Sequence, residues 1–335
     1  MIADSSDEMG DTVVLVTETE FHRAPDVFKS AAVKCLAVPG DEATLARAVE
    51  KHGTQYVIVG SVKYSGAIYD ALSQGGVIAR FGVGHDGIDK EKATAAGVLC
   101  TNTPGVLDES VAELAMLLIL AAARRLPALD AEMRAGTWNL GPSGIELRGK
   151  TLTVIGGGRI GQATARIASA GFGMRTIGFR RTSRADAPGF DSMAADFASA
   201  VGDADFVSLH INAEPANHQF LNRMRLSLMP ARAWLINTAR GSVVDENALY
   251  DALAEKRLAG AALDVFDREP YVPADPSRDL RTLPNVVLAP HVGSHTREAN
   301  RGMAERALQN IMRAQAGDFA AMDLLNPTVI AGRER

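Results

Sequence analysis

From Thr12 onward the chain alternates short β-branched runs with stretches of helical period. "TVVLVTE", "YVIVG", "VIARFGVG" and "VLCTNT" read as strands, and "ATLARAVEKH" and "EKATAAG" as amphipathic helices among them. That alternation predicts βαβ units and a parallel sheet. After "NTPG" comes a helix with Asp108 as its N-cap and Pro127 as its terminator, apolar on nearly all sides from Val111 to Ala123. A helix without a polar face needs cover on every side. A second alternating series starts at Thr151 and runs through "TLTVIG", "RTIGF", "DFVSLHI", "AWLINT", "LAGAALDVF" and "NVVLAPH". It predicts a second, larger doubly wound sheet inserted into the first domain. The last helical stretch, "TREANRGMAERALQNIMRAQAG", returns to the N-terminal unit. The expected architecture is α/β, with two doubly wound parallel-sheet domains. Residues 1–102 with 294–335 form one, and residues 103–293 the other. Crossings near Asn102 and near residues 293 to 300 predict a hinged cleft.

Composition narrows the function classes. A chain of 335 residues that is 47% hydrophobic suits two ordinary domains. Its net charge of -5 gives no long-range attraction to phosphate backbones or anionic lipid, so neither nucleic acid nor membrane is an expected partner. Cys35 and Cys100 lie far apart, without CxxC spacing or histidine clusters, and predict two buried thiols in a reducing cytosol and no metal site. The start "MIADSSDEMGDT" is acidic and polar, unlike a secretory signal, and predicts a cytoplasmic protein. The longest apolar run, Ala115 to Ala123, is about half the roughly 20 residues needed to cross a bilayer. It reads as a buried helix.

The first chemistry-bearing motif is "VIGGGRIG". Gly156, Gly158 and Gly161 follow the strand "TLTVI" and open the helix "RIGQATARIASAG". In that context the first glycine makes a tight turn, the second lets backbone approach a pyrophosphate, and the third lets helix and strand pack closely. The helix's free N–H groups and positive dipole end then face the phosphates. At the end of the next strand an NAD site places an acid on the ribose hydroxyls, whereas this chain has Arg180, Arg181 and Thr182. A guanidinium binds a 2'-phosphate that a carboxylate would repel, so the expected cofactor is NADPH in preference to NADH. The alternative is two surface arginines in a loop.

Three later stretches, "LINTARGSVVDENAL", "GAALDVFDREP" and "NVVLAPHVGSHTREA", lie where second-domain strands end, the edge at which open α/β sheets hold ligands. They supply Arg240 as a fork for a carboxylate, Glu269 as an acidic partner and His291 as an acid/base. With "GVGHDGID" (82 to 89), "TNTPGV" (101 to 106), "ELRGKTLTVIGGGRIG" (146 to 161), "NTARGSVVDE" (237 to 246), "ALDVFDREP" (262 to 270) and "PHVGS" (290 to 294), the sequence resembles the D-isomer-specific 2-hydroxyacid dehydrogenases over nearly its whole length.

That resemblance implies a flavodoxin-like substrate domain and an inserted Rossmann domain carrying a dimerisation arm at about 106–150, hence a homodimer. It places the family's catalytic arginine, glutamate and histidine on Arg240, Glu269 and His291. Cofactor contacts fall on Arg159, Ile160, Arg180, Thr238, Ala239, Asp264 and Gly293. The substrate carboxylate falls on the backbone N–H groups of Val83 and Gly84. Asp264 either anchors the nicotinamide end or caps a loop. His85 either tunes the choice of 2-oxo acid or stands in solvent. Trp138 packs or, alternatively, closes a partner subunit's pocket, packing being the preferred role. His210 and His295 are expected to be structural.

The chemistry follows from charge development. As hydride reaches the keto carbon, charge grows on the carbonyl oxygen and is met by a proton from His291. A carboxylate paired with that imidazole favours its protonated form. The expected activity is NADPH-dependent reduction of a small 2-oxo acid to the D-2-hydroxy acid, glyoxylate and hydroxypyruvate first. Alternatives are a D-lactate or phosphoglycerate type of dehydrogenase, or a nucleotide-gated corepressor-like binding protein. One departure stands out: relatives carry "LHxPLTxxT" where this chain has "LHINAEPAN", with Asn212 for the proline and Asn217 for the second threonine.

Overall fold

A computed structural model describes residues 12–139, 141–180 and 188–331. The chain divides into two compact units, Met1–Leu107 with Ser294–Arg335, and Asp108–Gly293. Residues 103–107 stay with the first unit for a local reason. Thr103 exchanges hydrogen bonds with Gly82 through its backbone N–H and its hydroxyl, each at 3.1 Å. Val106 also packs on Gly302, where a Cβ would come within 3.0 Å of it.

The first unit holds five strands, β1 (Val13–Thr17), β2 (Lys34–Val38), β3 (Tyr56–Val59), β4 (Val77–Arg80) and β5 (Leu99–Thr101). All pair in parallel, in the order β2-β1-β3-β4-β5. This is the flavodoxin-like order. Strand β2 escapes the hydrophobic pattern because it is an edge strand, largely unburied and opened by Lys34. The inner strands β3 and β4 are nearly or wholly buried, as a sheet covered on both faces requires.

The second unit has seven parallel strands: β6 (Thr151–Ile155), β7 (Arg175–Phe179), β8 (Ser192–Met193), β9 (Phe206–Leu209), β10 (Trp234–Asn237), β11 (Gly260–Leu263) and β12 (Val286–Leu288). Their order is β12-β11-β10-β9-β6-β7-β8. The order reverses between β6 and β9, which defines the switch point of a Rossmann sheet. Alternate residues face two separate cores. Val207, Leu235, Ala261 and Leu263 enter one, and Phe206, Ile236 and Ala262 the other.

The helix Asp108–Arg124 packs Met116, Leu118, Ile119 and Ala123 into the second of those cores. Two expectations about it fail. Cover is not complete, since Leu117 is 55% exposed. Pro127 does not stop it either: the helix ends where Arg125 turns left-handed (φ 55), and Pro127 lies in the first turn of a new helix, Leu126–Arg134. A proline is tolerated there because first-turn N–H groups have no intrahelical partner. Trp138, expected to pack, is 84% exposed in this chain. Cys100 is buried as expected but Cys35 only half-buried; burial pushes their thiols up to about 12 and about 11. Among the described residues no helix is long and apolar enough to cross a membrane, and no cluster of three His, Cys, Asp or Glu is placed to hold a metal.

Candidate active site

The glycine turn after β6 has the shape its spacing predicts. Gly156 is left-handed (φ 110), and a Cβ on it would lie 2.3 Å from the carbonyl oxygen of His210, which follows β9. A Cβ on Gly161 would lie 2.1 Å from the Gly156 carbonyl oxygen. Gly158 is different, with no atom within 4 Å of where its Cβ would be. The turn is therefore closed on the protein side and open at the N-terminus of the helix Arg159–Phe172, where a phosphate group finds unpaired N–H donors.

Neighbouring side chains extend this cradle. Arg180, just past β7, lies along the turn, with its Cδ 3.6 Å and Nη1 4.0 Å from a Cβ built on Gly157. Arg181 and Thr182 lie outside the described residues. Exposed Arg159 pairs with Asp108 at 3.0 Å, and Ile160 is half-buried in the same first turn. The hydroxyl of Thr238 is buried without a hydrogen-bond partner among the described residues. An open glycine, a free helix N-terminus and an orphaned buried hydroxyl together suit a dinucleotide.

The catalytic candidates come from three adjacent strands. Parallel register sets Asn237, Leu263 and Leu288 abreast at the carboxyl ends of β10, β11 and β12. The loops that leave there carry Arg240, Glu269 and His291. Glu269 Oε2 meets His291 Nδ1 at 2.6 Å, and Glu269 Oε1 accepts from the Phe266 N–H at 3.0 Å. Arg240 is half-buried, its Nη1 donates to the Ala239 carbonyl, and its charge reaches Glu269. Burial pushes the Glu269 carboxyl up, but the hydrogen bond and charge of His291, the Phe266 N–H and Arg240 bring it below its ordinary value.

Asp264, expected either to anchor the nicotinamide end or to cap a loop, makes bonds of the loop-capping kind. Its two carboxylate oxygens accept from the N–H groups of Val292 at 2.8 Å and Gly293 at 2.9 Å. Its carbonyl accepts from the His291 N–H at 2.7 Å. These bonds hold His291 in a left-handed conformation (φ 54), one that non-glycine residues seldom adopt. Three supports escape sequence reasoning. The Asn237 side chain bridges the Ala239 N–H and the Arg240 carbonyl, Glu246 accepts from the Asp267 N–H, and Gly241 admits the Phe266 backbone. Their only sequence signal is position, beside Arg240 or at the start of the following helix.

In the first unit Val83, Gly84 and His85 are half-buried in the loop after β4. Lys90 donates to His85 Nδ1 at 3.3 Å. Packing around the His210 imidazole pushes its pKa down to about 4, with its Nε2 beside the Ser208 hydroxyl at 2.8 Å. His295 Nδ1 accepts from Arg23 at 3.1 Å.

A family model described as "D-isomer specific 2-hydroxyacid dehydrogenase, NAD binding domain" matches residues 116–293, more than half of the chain. The chain belongs to the D-isomer-specific 2-hydroxyacid dehydrogenase family. The glyoxylate reductase of Thermococcus litoralis is 43% identical over 263 residues, covering 76% of this chain and 78% of that one. An NADPH-dependent glyoxylate/hydroxypyruvate reductase from Sinorhizobium meliloti, solved with NADP and malonate, superposes with a TM-score of 0.78 at 31% identity over 91% of this chain and 93% of its own. The D-lactate dehydrogenase of Aquifex aeolicus, solved with NAD and lactic acid, gives 0.81 at 26% identity over 93% and 99%. The protein is thus an NAD(P)-dependent oxidoreductase acting on 2-hydroxy acids and the corresponding 2-oxo acids.

Within this dehydrogenase the loop that departs from the family pattern is closed by its own two substitutions. The Asn217 amide donates to both the carbonyl and the Oδ1 of Asn212, each at 2.9 Å. The Glu269–His291 pair also makes stability depend on pH. Because the folded carboxyl titrates below its unfolded value of 4.5, its contribution is complete above that value and is lost as pH falls through the folded one. The melting temperature of wild type is expected to exceed that of Glu269→Gln near neutrality and to converge with it in acid. A gap that stays constant from about pH 7 to about pH 3 would contradict this.

Proposed function

We propose that this dehydrogenase is an NADPH-preferring reductase of small 2-oxo acids, with glyoxylate and hydroxypyruvate as substrates and the D-2-hydroxy acid as product. The observation that carries the reading is the 2.6 Å contact between His291 and Glu269 beside the charge of Arg240. Gly156, Gly158 and Gly161, the first turn at Arg159 and Ile160, and Arg180, Thr238 and Ala239 would hold the cofactor. When bound, its nicotinamide supplies a hydride to the keto carbon.

The protein's own groups do the rest. His291 Nδ1 is held by Glu269, so Nε2 delivers the proton to the carbonyl oxygen as negative charge grows there. Glu269 stabilises the charged imidazole before transfer, and solvent restores the proton afterwards. Arg240 supplies a fixed positive charge for the substrate's carboxylate or carbonyl, and the N–H groups of Val83 and Gly84 bind the carboxylate. Asp264, through Val292 and Gly293, sets the direction from which the imidazole acts. The product follows by balance: one hydride, one proton, and a carbonyl reduced to an alcohol.

Steady-state oxidation of NADPH with glyoxylate, hydroxypyruvate, pyruvate and bulkier 2-oxo acids tests the substrate class. The highest kcat/KM is expected for the first two; a preference for pyruvate or for a phosphorylated acid would replace them. For the cofactor, Arg180→Asp is expected to raise KM for NADPH by on the order of 100-fold while leaving NADH within about threefold, because it exchanges a charge-assisted bond for repulsion. Equal loss with both cofactors would remove the 2'-phosphate role. Leu117, Leu126, Met133 and Trp138 are each more than half exposed, and we assign that apolar set to a homodimer contact.

A further inference from the structure

We infer that Asn102, backed by Asn310, is a positioning residue that aims the two backbone N–H groups binding the substrate carboxylate; this rests on the carboxylate role proposed for Val83 and Gly84. The argument starts from the planarity of the peptide bond. In a trans peptide the C=O of one residue and the N–H of the next point in opposite directions, so fixing the carbonyl fixes the donor.

Both carbonyls in question are fixed from one side. The Gly82 carbonyl accepts from the Thr103 N–H at 3.1 Å, and the other end of that peptide is the Val83 N–H. The Val83 carbonyl accepts from the Asn102 side-chain amide at 2.9 Å, and the other end of that peptide is the Gly84 N–H. Two successive N–H groups are thereby turned away from residues 102 and 103. Neither has a hydrogen-bond partner among the described residues. Successive backbone donors facing one way form a concavity suited to an anion. The loop is also anchored just upstream, where the Gly82 N–H donates to the Thr103 hydroxyl and the Arg80 guanidinium donates to the Phe81 carbonyl.

Asn102 is itself held. Its N–H donates to the Asp323 carbonyl at 3.3 Å and its carbonyl accepts from Asn310 Nδ2 at 3.2 Å. Asn310 is fully buried on the long helix Arg297–Gln315. It also donates to the Asp323 carboxylate at 3.1 Å and accepts from the Asp323 N–H at 3.0 Å. Arg306 closes the chain with two bonds to that carboxylate, at 2.6 and 2.8 Å. Buried amides are costly unless bonded, and an apolar residue would fill the same space without that demand. What the amides add is direction.

The test uses the full-length enzyme and two substitutions at one site. Asn102→Asp keeps the shape but sets a carboxylate against the Val83 carbonyl; Asn102→Ala removes the donor without adding charge. For both, KM for the 2-oxo acid and the inhibition constant of oxamate are expected to rise together by about tenfold or more, while kcat changes by less than about threefold. NADPH affinity is expected to stay at its wild-type value, and melting temperature to fall by only a few degrees, the cost of leaving the Val83 carbonyl unpaired. Asn310→Ala, which releases the Asn102 carbonyl and both Asp323 bonds but leaves the Asn102 amide in place, is expected to raise KM by about threefold. Wild-type KM in both Asn102 variants, or losses of kcat, NADPH affinity and melting temperature in parallel, would overturn the positioning role while the carboxylate reading stands. Wild-type enzyme that neither reduces any 2-oxo acid nor binds oxamate would overturn both.

Discussion

Replacing His291 with Asn is expected to lower kcat for 2-oxo acid reduction by on the order of 10³-fold, within the range that a positioned acid/base contributes. Asparagine is the informative choice because position 291 is left-handed (φ 54), a conformation that Asn tolerates better than most residues. The backbone there is held by Asp264, through its carbonyl and through the N–H groups of Val292 and Gly293, and none of those bonds involves the imidazole. The loop should therefore keep its course when the side chain changes. NADPH affinity within about threefold of wild type and an unchanged melting temperature are the expected controls. A variant that retains more than about a tenth of wild-type kcat would show that the proton comes from elsewhere.

Much of this site is legible in the sequence because it depends on residues close together in the chain. The three glycines after β6 can be read from spacing alone: Gly156 and Gly161 are demanded by backbone close by, at His210 and at Gly156 itself, and Gly158 leaves the open face of the turn. Arg240, Glu269 and His291 can be placed at strand ends, and register does the remaining work by setting those ends side by side. Features that rest on distant pairs are not visible in this way. Asn102 and Asn310 are 208 residues apart, and no local pattern links them. The Asp264 bonds to Val292 and Gly293 span 28 and 29 residues and are equally hidden from any local pattern.

The differences at Leu117, Trp138 and strand β2 share one physical origin. Hydrophobic pattern reports what prefers burial, and it carries no information about what does the burying. Leu117 and Trp138 prefer cover and lack it within this chain, so the nearly all-apolar stretch forms a helix that leaves a leucine in the open. Pro127 differs for another reason: proline cannot continue a helix, and a proline just inside a helix start obeys the same rule as one just past an end. Strand β2 is hard to see in the sequence because an edge strand needs only partial burial and so has only a partial signature.

Gly241→Ala is expected to be the most damaging single-methyl change in the second unit. A Cβ at this position would lie 1.8 Å from the carbonyl carbon of Phe266, and 2.2 Å from both the Phe266 oxygen and the Asp267 nitrogen. All three are backbone atoms, so no side chain can rotate aside. The clash must separate the loop that carries Arg240 from the loop that carries Glu269. Overpacking of this kind costs about 3 kcal/mol or more. For a unit of this size that corresponds to a melting temperature lowered by about 6 to 12 °C. Because Arg240 and Glu269 lie on the two loops driven apart, kcat/KM is expected to fall by on the order of 100-fold. Gly158→Ala is the matched control: with nothing within 4 Å and φ at -77, it should leave the melting temperature within about a degree of wild type while raising KM for NADPH. A Gly241→Ala enzyme with wild-type melting and turnover would contradict the close approach of the Arg240 and Glu269 loops.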